Sequence, residues 1–276
     1  VLFDSRSGAP FMGKLTSERL SAPADGWIAI GDDDASMGPT AARGECGEAS
    51  WSLSFQTIGA ELRHLSPELL YRTALPRTKL TSPSPLASFS GRFSLAGREP
   101  IELDGWPGMV GHNWGAEHAE RWIWLHGCDF DEAPGDWLDV GIGRLALGGR
   151  LTPWAASGAM QIDGRRERLG GLLSRGTRVE ESVAGATIEL AGRGGLRVRA
   201  EVRVPDGAAA GWRYADPDGG EHDVVNCSVS ALELRIQRRG EREPELVRST
   251  DHGCAYELGM RERDHGVPIA PFPDGL

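Results

Sequence analysis

Apolar and polar residues alternate one by one along several segments, and this pattern constrains the fold more than any other feature of the sequence. The clearest runs cover residues 50–56, 87–95, 196–204 and 232–237. Successive side chains of a β-strand point to opposite faces, so each run predicts a strand with one buried face and one solvated face. Half-buried strands of this kind are typical of antiparallel sheets.

Turn residues separate these runs and predict an all-β chain with little helix. The chain holds 38 glycines and 17 prolines, and Gly and Asp supply the positive φ that tight turns need. The turns are predicted at Asp104-Gly105, Gly148-Gly149, Asp163-Gly164 and 205–207. One helical turn is predicted at 68–71, with Ser66 as its N-cap. Gly, Arg and Ser concentrate at 163–176, which predicts two β domains, 1–168 and 169–276, each an antiparallel sandwich or barrel.

Charge and length exclude several classes of partner. The formal net charge is −10, so the protein would repel a phosphate backbone and an anionic membrane surface. No apolar run reaches 18 residues, which predicts no membrane span.

The four cysteines lie far apart and form no CxxC pair, so reduced thiols and a cytoplasmic location are expected. Residues 1–30 show no basic-then-apolar signal segment, but export is left open because the chain begins with Val1.

Residues 104–140 carry the candidate site, since five of the nine tryptophans fall there. On a strand, residues i and i+2 share a face. His112 therefore projects with Trp114, and Trp137 projects with Asp139. On the strand between them the residues that project together are Trp122, Trp124 and His126. If these strands are neighbours, one concave face combines aromatic walls, imidazoles and a carboxylate.

Such a face suits the protonation of an alkene. Burial raises the pKa of a carboxyl group, so Asp139 would stay protonated near neutral pH and act as a general acid. Indole faces attract cations and would steer the resulting carbocation. Capture of the cation by water gives a hydratase, and internal capture gives a cyclase. The alternative is structural: tryptophans that fill a core, histidines held by hydrogen bonds and an aspartate paired with an arginine.

No metal site or cofactor motif is predicted. His112, His118 and His126 lack the i, i+4 spacing of a helical zinc site, and no thiol pair completes a ligand set. No G-x-G-x-x-G segment follows a strand, which argues against a dinucleotide. Three further histidines are interpreted as polar loop residues, in the segments Glu221-His222-Asp223, Asp251-His252 and Asp264-His265.

The candidate segment resembles the tandem lipocalin-like (calycin) superfamily. The residues that carry the resemblance are Gly111-His112-Asn113-Trp114-Gly115, Trp122-Ile123-Trp124 and Trp137-Leu138-Asp139. They look like carotenoid hydratases of the hydroxyneurosporene synthase type and, more distantly, tocopherol cyclases. The resemblance implies two consecutive lipocalin-like β domains and chemistry on long apolar isoprenoids without a redox cofactor. Trp137 stands where the hydratases have tyrosine, and Gly111 stands where relatives often have aspartate.

The leading hypothesis is a cofactor-independent enzyme that acts on an apolar isoprenoid or polyketide-like alkene. Asp139 would donate the proton, and His112 would position it or direct water. The predicted substrate-binding residues are Asn113, Trp114, Trp122, Trp124, His126 and Trp137. A lipocalin-like carrier of a hydrophobic small molecule needs only the aromatic cavity and is the second hypothesis. A structural β protein without a ligand-sized cavity is the third. The pattern predicts no particular oligomeric state.

Overall fold

Two large antiparallel sheets make up the protein, which confirms the predicted all-β class. The computed structural model describes residues 1–270 except 7, 16, 25, 32–33, 132, 172–175, 218, 239 and 241–245. Within these residues the only helical segments are two short 3₁₀ turns, Glu68–Arg72 and Arg193–Gly195. The first is the predicted helical turn. Pro67 occupies its N-cap without a side-chain cap, so the prediction of Ser66 as N-cap is wrong.

The first sheet holds eight strands and lies entirely before residue 116. Its strands are β1 (Leu20–Ser21), β2 (Ile28–Ile30), β3 (Ala35–Met37), β4 (Ala41–Cys46), β5 (Ala49–Thr57), β6 (Leu62–Arg63), β7 (Thr78–Leu95) and β8 (Ile101–Gly115). They pair in the order β1-β2-β3-β4-β5-β7-β6, and β8 pairs along β7. The long strand β7 therefore joins β5 near its end and β6 near its start.

The second sheet holds ten strands, and a separate two-stranded hairpin lies among them. The hairpin is β11 (Ala146–Leu147) with β12 (Arg150–Leu151). The sheet strands are β9 (Arg121–Gly127), β10 (Trp137–Arg144), β13 (Ala155–Ile162), β14 (Arg165–Gly170), β15 (Arg178–Ser182), β16 (Gly185–Ala191), β17 (Arg197–Arg203), β18 (Ala210–Ala215), β19 (Glu221–Gln237) and β20 (Leu246–Met260). Their order is β14-β13-β10-β9-β20-β19-β17-β16-β15, with β18 on β19.

The second sheet curls so that its inner face packs on itself. Its core is one cluster of buried aliphatic residues, and this cluster includes both Leu169 on β14 and Leu190 on β16, near opposite ends of the sheet. A β-bridge from Leu169 to Gly192 joins these ends. Removing this much apolar surface from water is the dominant stabilising contribution to such a domain.

Most predicted turns are confirmed, and one is wrong. Asp163-Gly164 and Gly148-Gly149 have the positive φ of two-residue hairpin turns. Asp104-Gly105 is not a turn, because it lies inside β8, where the β7–β8 register shifts and Gly105 has a φ of 68°. A β-bulge and a tight turn need the same positive-φ residue, which explains the error.

Along the chain, the first sheet ends with β8 and the second sheet begins with β9. The predicted domain boundary at 168/169 falls inside β14 of the second sheet. The division into domains 1–168 and 169–276 stays a prediction. Among the described residues, no helix has the length and apolar character that a membrane crossing requires. All four cysteines are free thiols.

Candidate functional site at the contact between the sheets

The candidate site lies on the outer face of the second sheet. On β9, Ile123 and Leu125 point into the core cluster. The alternate residues of the same strand therefore point outward, as the period of two requires. They are Trp122, Trp124 and His126, the set that the sequence predicts to share a face. On the neighbouring strand β10, Asp139 lies directly opposite His126 and so projects on the same side.

This outer face packs against strands β6 and β7 of the first sheet. A second apolar cluster fills the contact and contains Leu62, Leu86, Cys128, Trp137 and Ala159. The indole of Trp137 is 1% exposed, and the guanidinium of Arg166 lies 5.1 Å from its ring centroid. Trp137 thus serves as packing between the two sheets.

Asp139 has no exposed surface and is held by residues from both sheets. Ser82 on β7 donates a hydrogen bond of 2.5 Å to Oδ2, and the indole Nε1 of Trp124 donates one of 3.1 Å to Oδ1. Nε2 of His64 lies 3.2 Å from Oδ1. None of these partners is His112.

His64 was missed by the sequence analysis, and contacts from the second sheet position it. Arg168 on β14 donates to the backbone carbonyls of Arg63 and His64, and Ser157 on β13 also donates to the His64 carbonyl. The imidazole is 1% exposed, and neither ring nitrogen makes an aligned hydrogen bond within the described residues. His64 also borders a cavity of about 380 Å³. Only packing reveals this residue, since it lies 75 positions from Asp139 and in no motif.

The pKa of Asp139 lies below its ordinary value. Burial is the largest influence and raises it, but His64, His126 and the Ser82 hydroxyl together outweigh burial. The shift is therefore opposite in direction to the raised pKa that burial alone predicts, because groups from both sheets outweigh burial. The role of Asp139 as proton donor stays a prediction. The neighbouring His126 has a lowered pKa, because burial outweighs the Asp139 charge and the hydrogen bond of 2.9 Å between its Nε2 and the Pro85 carbonyl.

A second carboxylate, Glu257 on β20, lies on the same outer face and was also missed. It sits directly opposite Trp124, one strand over from β9. Nε1 of Trp122 donates a hydrogen bond of 2.9 Å to its Oε1, and the Asn226 amide donates one of 3.4 Å to Oε2. Burial raises the pKa of Glu257 despite the lowering effect of these donors. The sequence offers one indication of this residue, since Glu257 is a charged residue inside the otherwise apolar run 254–260.

The predicted residues on β8 lie elsewhere. His112 is opposite Thr81 and Trp114 is opposite Lys79, so both project with the alternate face of β7, away from Ser82 and Asp139. Their rings stack with centroids 5.1 Å apart, and both residues are exposed. Asn113, opposite Leu80, is exposed as well. The structure therefore does not bring His112 to the proton-transfer group assigned to it.

A third polar group brings His118 together with two residues from a distant part of the chain. His118, Asp216 and His222 each offer one ligand-type atom, and these atoms lie within 4.8 Å of one another. Nδ1 of His118 lies 2.5 Å from Oδ1 of Asp216, and Nδ1 of His222 lies 3.3 Å from Oδ2. The imidazole of His118 stacks between Trp122 and Tyr214, at centroid distances of 4.8 and 5.4 Å. This group therefore adjoins the Trp122–Glu257 pair.

These features define an all-β protein of two antiparallel sheets with buried titratable groups where the sheets meet. No protein-family model matches the chain. Two Mycobacterium tuberculosis proteins, both described as uncharacterized, are similar: MT0513 of strain CDC 1551 and Rv0493c of strain H37Rv. Each is 27% identical over 239 residues, which cover 86% of this chain and 69% of the relative.

Among solved structures, the crystal structure of CghA shares the fold, with a TM-score of 0.50 and 13% identity. The match covers 84% of this chain and 66% of CghA, so the chain spans just under two thirds of that protein. Kievitone hydratase from Nectria haematococca matches with a TM-score of 0.46 and 11% identity over 87% of this chain and 70% of the hydratase. The CghA similarity supports the fold. The specific resemblance to carotenoid hydratases and tocopherol cyclases stays a prediction.

Proposed function

We propose that the protein is a cofactor-independent acid–base enzyme of the hydratase or cyclase type, acting on an apolar isoprenoid or polyketide-like alkene. One observation carries the proposal: two carboxylates, Asp139 and Glu257, flank Trp124 on one sheet face, and each accepts an indole N–H. Their surroundings shift the two pKa values in opposite directions. Paired acids with separated pKa values are the usual arrangement for acid–base work at one pH.

Glu257 is the proposed proton donor. Its raised pKa keeps a fraction of the carboxyl group protonated at higher pH than an ordinary glutamate, and the residue is partly exposed on the face that carries Trp122 and Trp124. The O–H bond breaks, the alkene π electrons form a C–H bond, and a carbocation and a Glu257 carboxylate result. Water capture then gives an alcohol and returns one proton to Glu257. Capture by a second double bond gives a ring, and loss of a proton to Glu257 completes that reaction.

Asp139 is the proposed electrostatic stabiliser. It is fully buried, so it does not touch the substrate, but it accepts the N–H of the partly exposed Trp124. A carboxylate at the indole nitrogen polarises the ring and increases the negative potential of its face, which strengthens attraction for a cation. Ser82 and His64 hold the carboxylate in place. In this mechanism the two acids have different roles, and His112 has none.

The test is a turnover assay in D₂O with a panel of polyprenyl and carotenoid alkenes, followed by mass spectrometry. Wild-type protein is expected to place deuterium at carbon, and an added water in the product mass separates hydration from cyclisation. Glu257→Gln keeps the shape of the side chain and is expected to reduce incorporation at least 100-fold. Glu102→Gln, on the exposed part of β8, is the matched control and is expected to retain it. Full incorporation by Glu257→Gln would contradict the assignment.

A carrier for a hydrophobic small molecule is the second candidate, and one observation favours it: every atom of Asp139 is out of reach of solvent, as are nearly all of those of His64 and Ser82. A carrier needs only the partly exposed indoles of Trp122 and Trp124. In that case Trp124→Ala weakens the binding of apolar compounds, whereas Glu257→Gln changes nothing. Extraction of the purified protein and mass spectrometry of copurifying apolar compounds measure this directly.

A further inference from the structure

The group formed by His118, Asp216 and His222 has the composition of a metal site. Imidazole nitrogens and carboxylate oxygens are the ligands that Zn²⁺ and related divalent ions take from proteins. Three such ligand atoms lie within 4.8 Å of one another here. A tetrahedral ion with bonds of about 2.0 Å separates its ligand atoms by roughly 3.3 Å. Nδ1 of His222 and Oδ2 of Asp216 are 3.3 Å apart.

Besides the composition of the group, buried polar atoms without hydrogen-bond partners also point to a bound ligand. His222 is 0% exposed, and neither of its ring nitrogens has a hydrogen-bond partner within the described part of the chain. The same is true of Oδ2 of Asp216, which is 5% exposed. Buried polar groups without hydrogen-bond partners destabilise a folded protein, so three such atoms beside one another are unusual in a folded core. A cation bound between them would satisfy the carboxylate and one imidazole nitrogen.

The site is rigid and partly open. Stacking between Trp122 and Tyr214 fixes the His118 ring, and Trp122 also meets His222 edge to face at 5.0 Å. The His118 side chain is 24% exposed, which leaves a route for an ion and for a water ligand. Arg261 lies nearby, but its positive charge is paired with Glu120, because Nε of Arg261 donates a hydrogen bond of 2.8 Å to that carboxylate. Asp216 therefore supplies the negative charge that favours a cation.

We propose that His118, Asp216 and His222 bind one divalent transition-metal ion of the zinc class. On binding, the proton shared by His118 and Asp216 leaves to solvent and the two side chains move apart from their 2.5 Å contact. The ion then takes one atom from each of the three residues, which leaves a coordination position open to water. The site is independent of the proton-transfer role proposed for Glu257, and its failure would leave that role untouched. It corrects the sequence-based interpretation of His222 as a polar loop residue, because His222 lies at the buried start of β19.

The experiment is a titration of chelator-treated, full-length protein with Co²⁺, whose visible absorption reports a site of low coordination number. One equivalent of Co²⁺ is expected to produce the band, and Zn²⁺ is expected to abolish it by displacement. His222→Gln and Asp216→Asn are each expected to weaken Co²⁺ binding more than tenfold. His252→Gln, at an exposed histidine on β20, is the matched control and should bind like the wild type.

The partly exposed His118 provides a variant that preserves the core. His118→Gln is expected to fold, as judged by circular dichroism, and to lose the Co²⁺ band together with the rise in melting temperature that Zn²⁺ produces in the wild type. The proposal is overturned if wild-type protein binds neither ion at one equivalent. It is also overturned if a folded His118→Gln or His222→Gln variant binds Co²⁺ as tightly as the wild type.

Discussion

Replacement of the buried Asp139 by asparagine tests the electrostatics at the contact between the sheets. The variant keeps the shape of the side chain and removes its charge. Hydrogen bonds to charged groups contribute about 1.5–3 kcal/mol and neutral ones about 1 kcal/mol. The hydrogen bonds from Ser82 and Trp124 therefore lose about 1 kcal/mol each. We expect the free energy of unfolding at pH 7 to fall by about 2 kcal/mol, measured by urea denaturation with tryptophan fluorescence.

The same prediction has a defined pH dependence. The pKa of Asp139 is lowered in the folded protein, so its contribution is complete above the unfolded aspartate pKa of about 4. The contribution is lost as the pH falls through the lowered value, because the protonated acid is then neutral like asparagine. The difference between wild type and Asp139→Asn should therefore shrink as the pH falls from 5 towards 3.

A matched control separates this effect from the general cost of mutating an aspartate. Asp131 is exposed and accepts a hydrogen bond of 3.3 Å from Ser249, so Asp131→Asn should change the unfolding free energy by less than about 0.5 kcal/mol. Equal stability of Asp139→Asn and the wild type at pH 7 would refute the proposed charge contribution. A difference that stays constant over the whole pH range in which both proteins fold would refute it equally.

Four further predictions concern individual residues. Gly259→Ala should destabilise the fold by about 1–3 kcal/mol, because a Cβ there would lie 2.1 Å from the Trp122 indole. Gly135→Ala is the control, since a Cβ there meets nothing within 4 Å, and thermal melts compare the two variants. Leu62→Ala should lower the free energy of unfolding by about 2–5 kcal/mol in urea, because it empties the apolar contact between the sheets. Turnover should fall as the pH rises through the raised pKa of Glu257, which a pH–rate profile records. In the native protein one thiol, that of the partly exposed Cys46, should react rapidly with Ellman's reagent, because the other three cysteines are buried. The Cys46→Ser variant should lack this rapid reaction.

The strands were predictable because one side of each strand faces water. In β17 the alternation of Val198, Ala200 and Val202 with charged residues corresponds to the observed buried and exposed faces. The same period places Trp124 and His126 on one face. Asp104-Gly105 shows the limit, since a residue type that permits positive φ marks both turns and bulges. Strand periodicity therefore predicts faces well and strand ends less well.

The composition of the site was only partly predictable, because packing between distant segments decides it. Asp139 was found from its neighbouring aromatics, but its charge state depends on His64 and Ser82, which reach it from the other sheet. His112 shares a motif with Trp114, yet the pairing of β7 with β8 turns both away. Glu257 lies more than 100 residues from Asp139. Local sequence cannot show such approaches, since they depend on the order of strands in the sheet.

The placement of Trp124 and Leu125 on opposite faces of one strand has an evolutionary consequence. Leu125 belongs to the core cluster inside the curled second sheet, and Trp124 lies on the outer face with Asp139. Under the proposed function, substitution of the partly exposed Trp124 would alter substrate preference without changing the interior. Insertion or deletion of a single residue within β9 would instead exchange the two faces and expel Leu125 from the core. A change of length in this strand is therefore tolerated only where a β-bulge absorbs the extra residue, as the bulge at Gly105 does in β8.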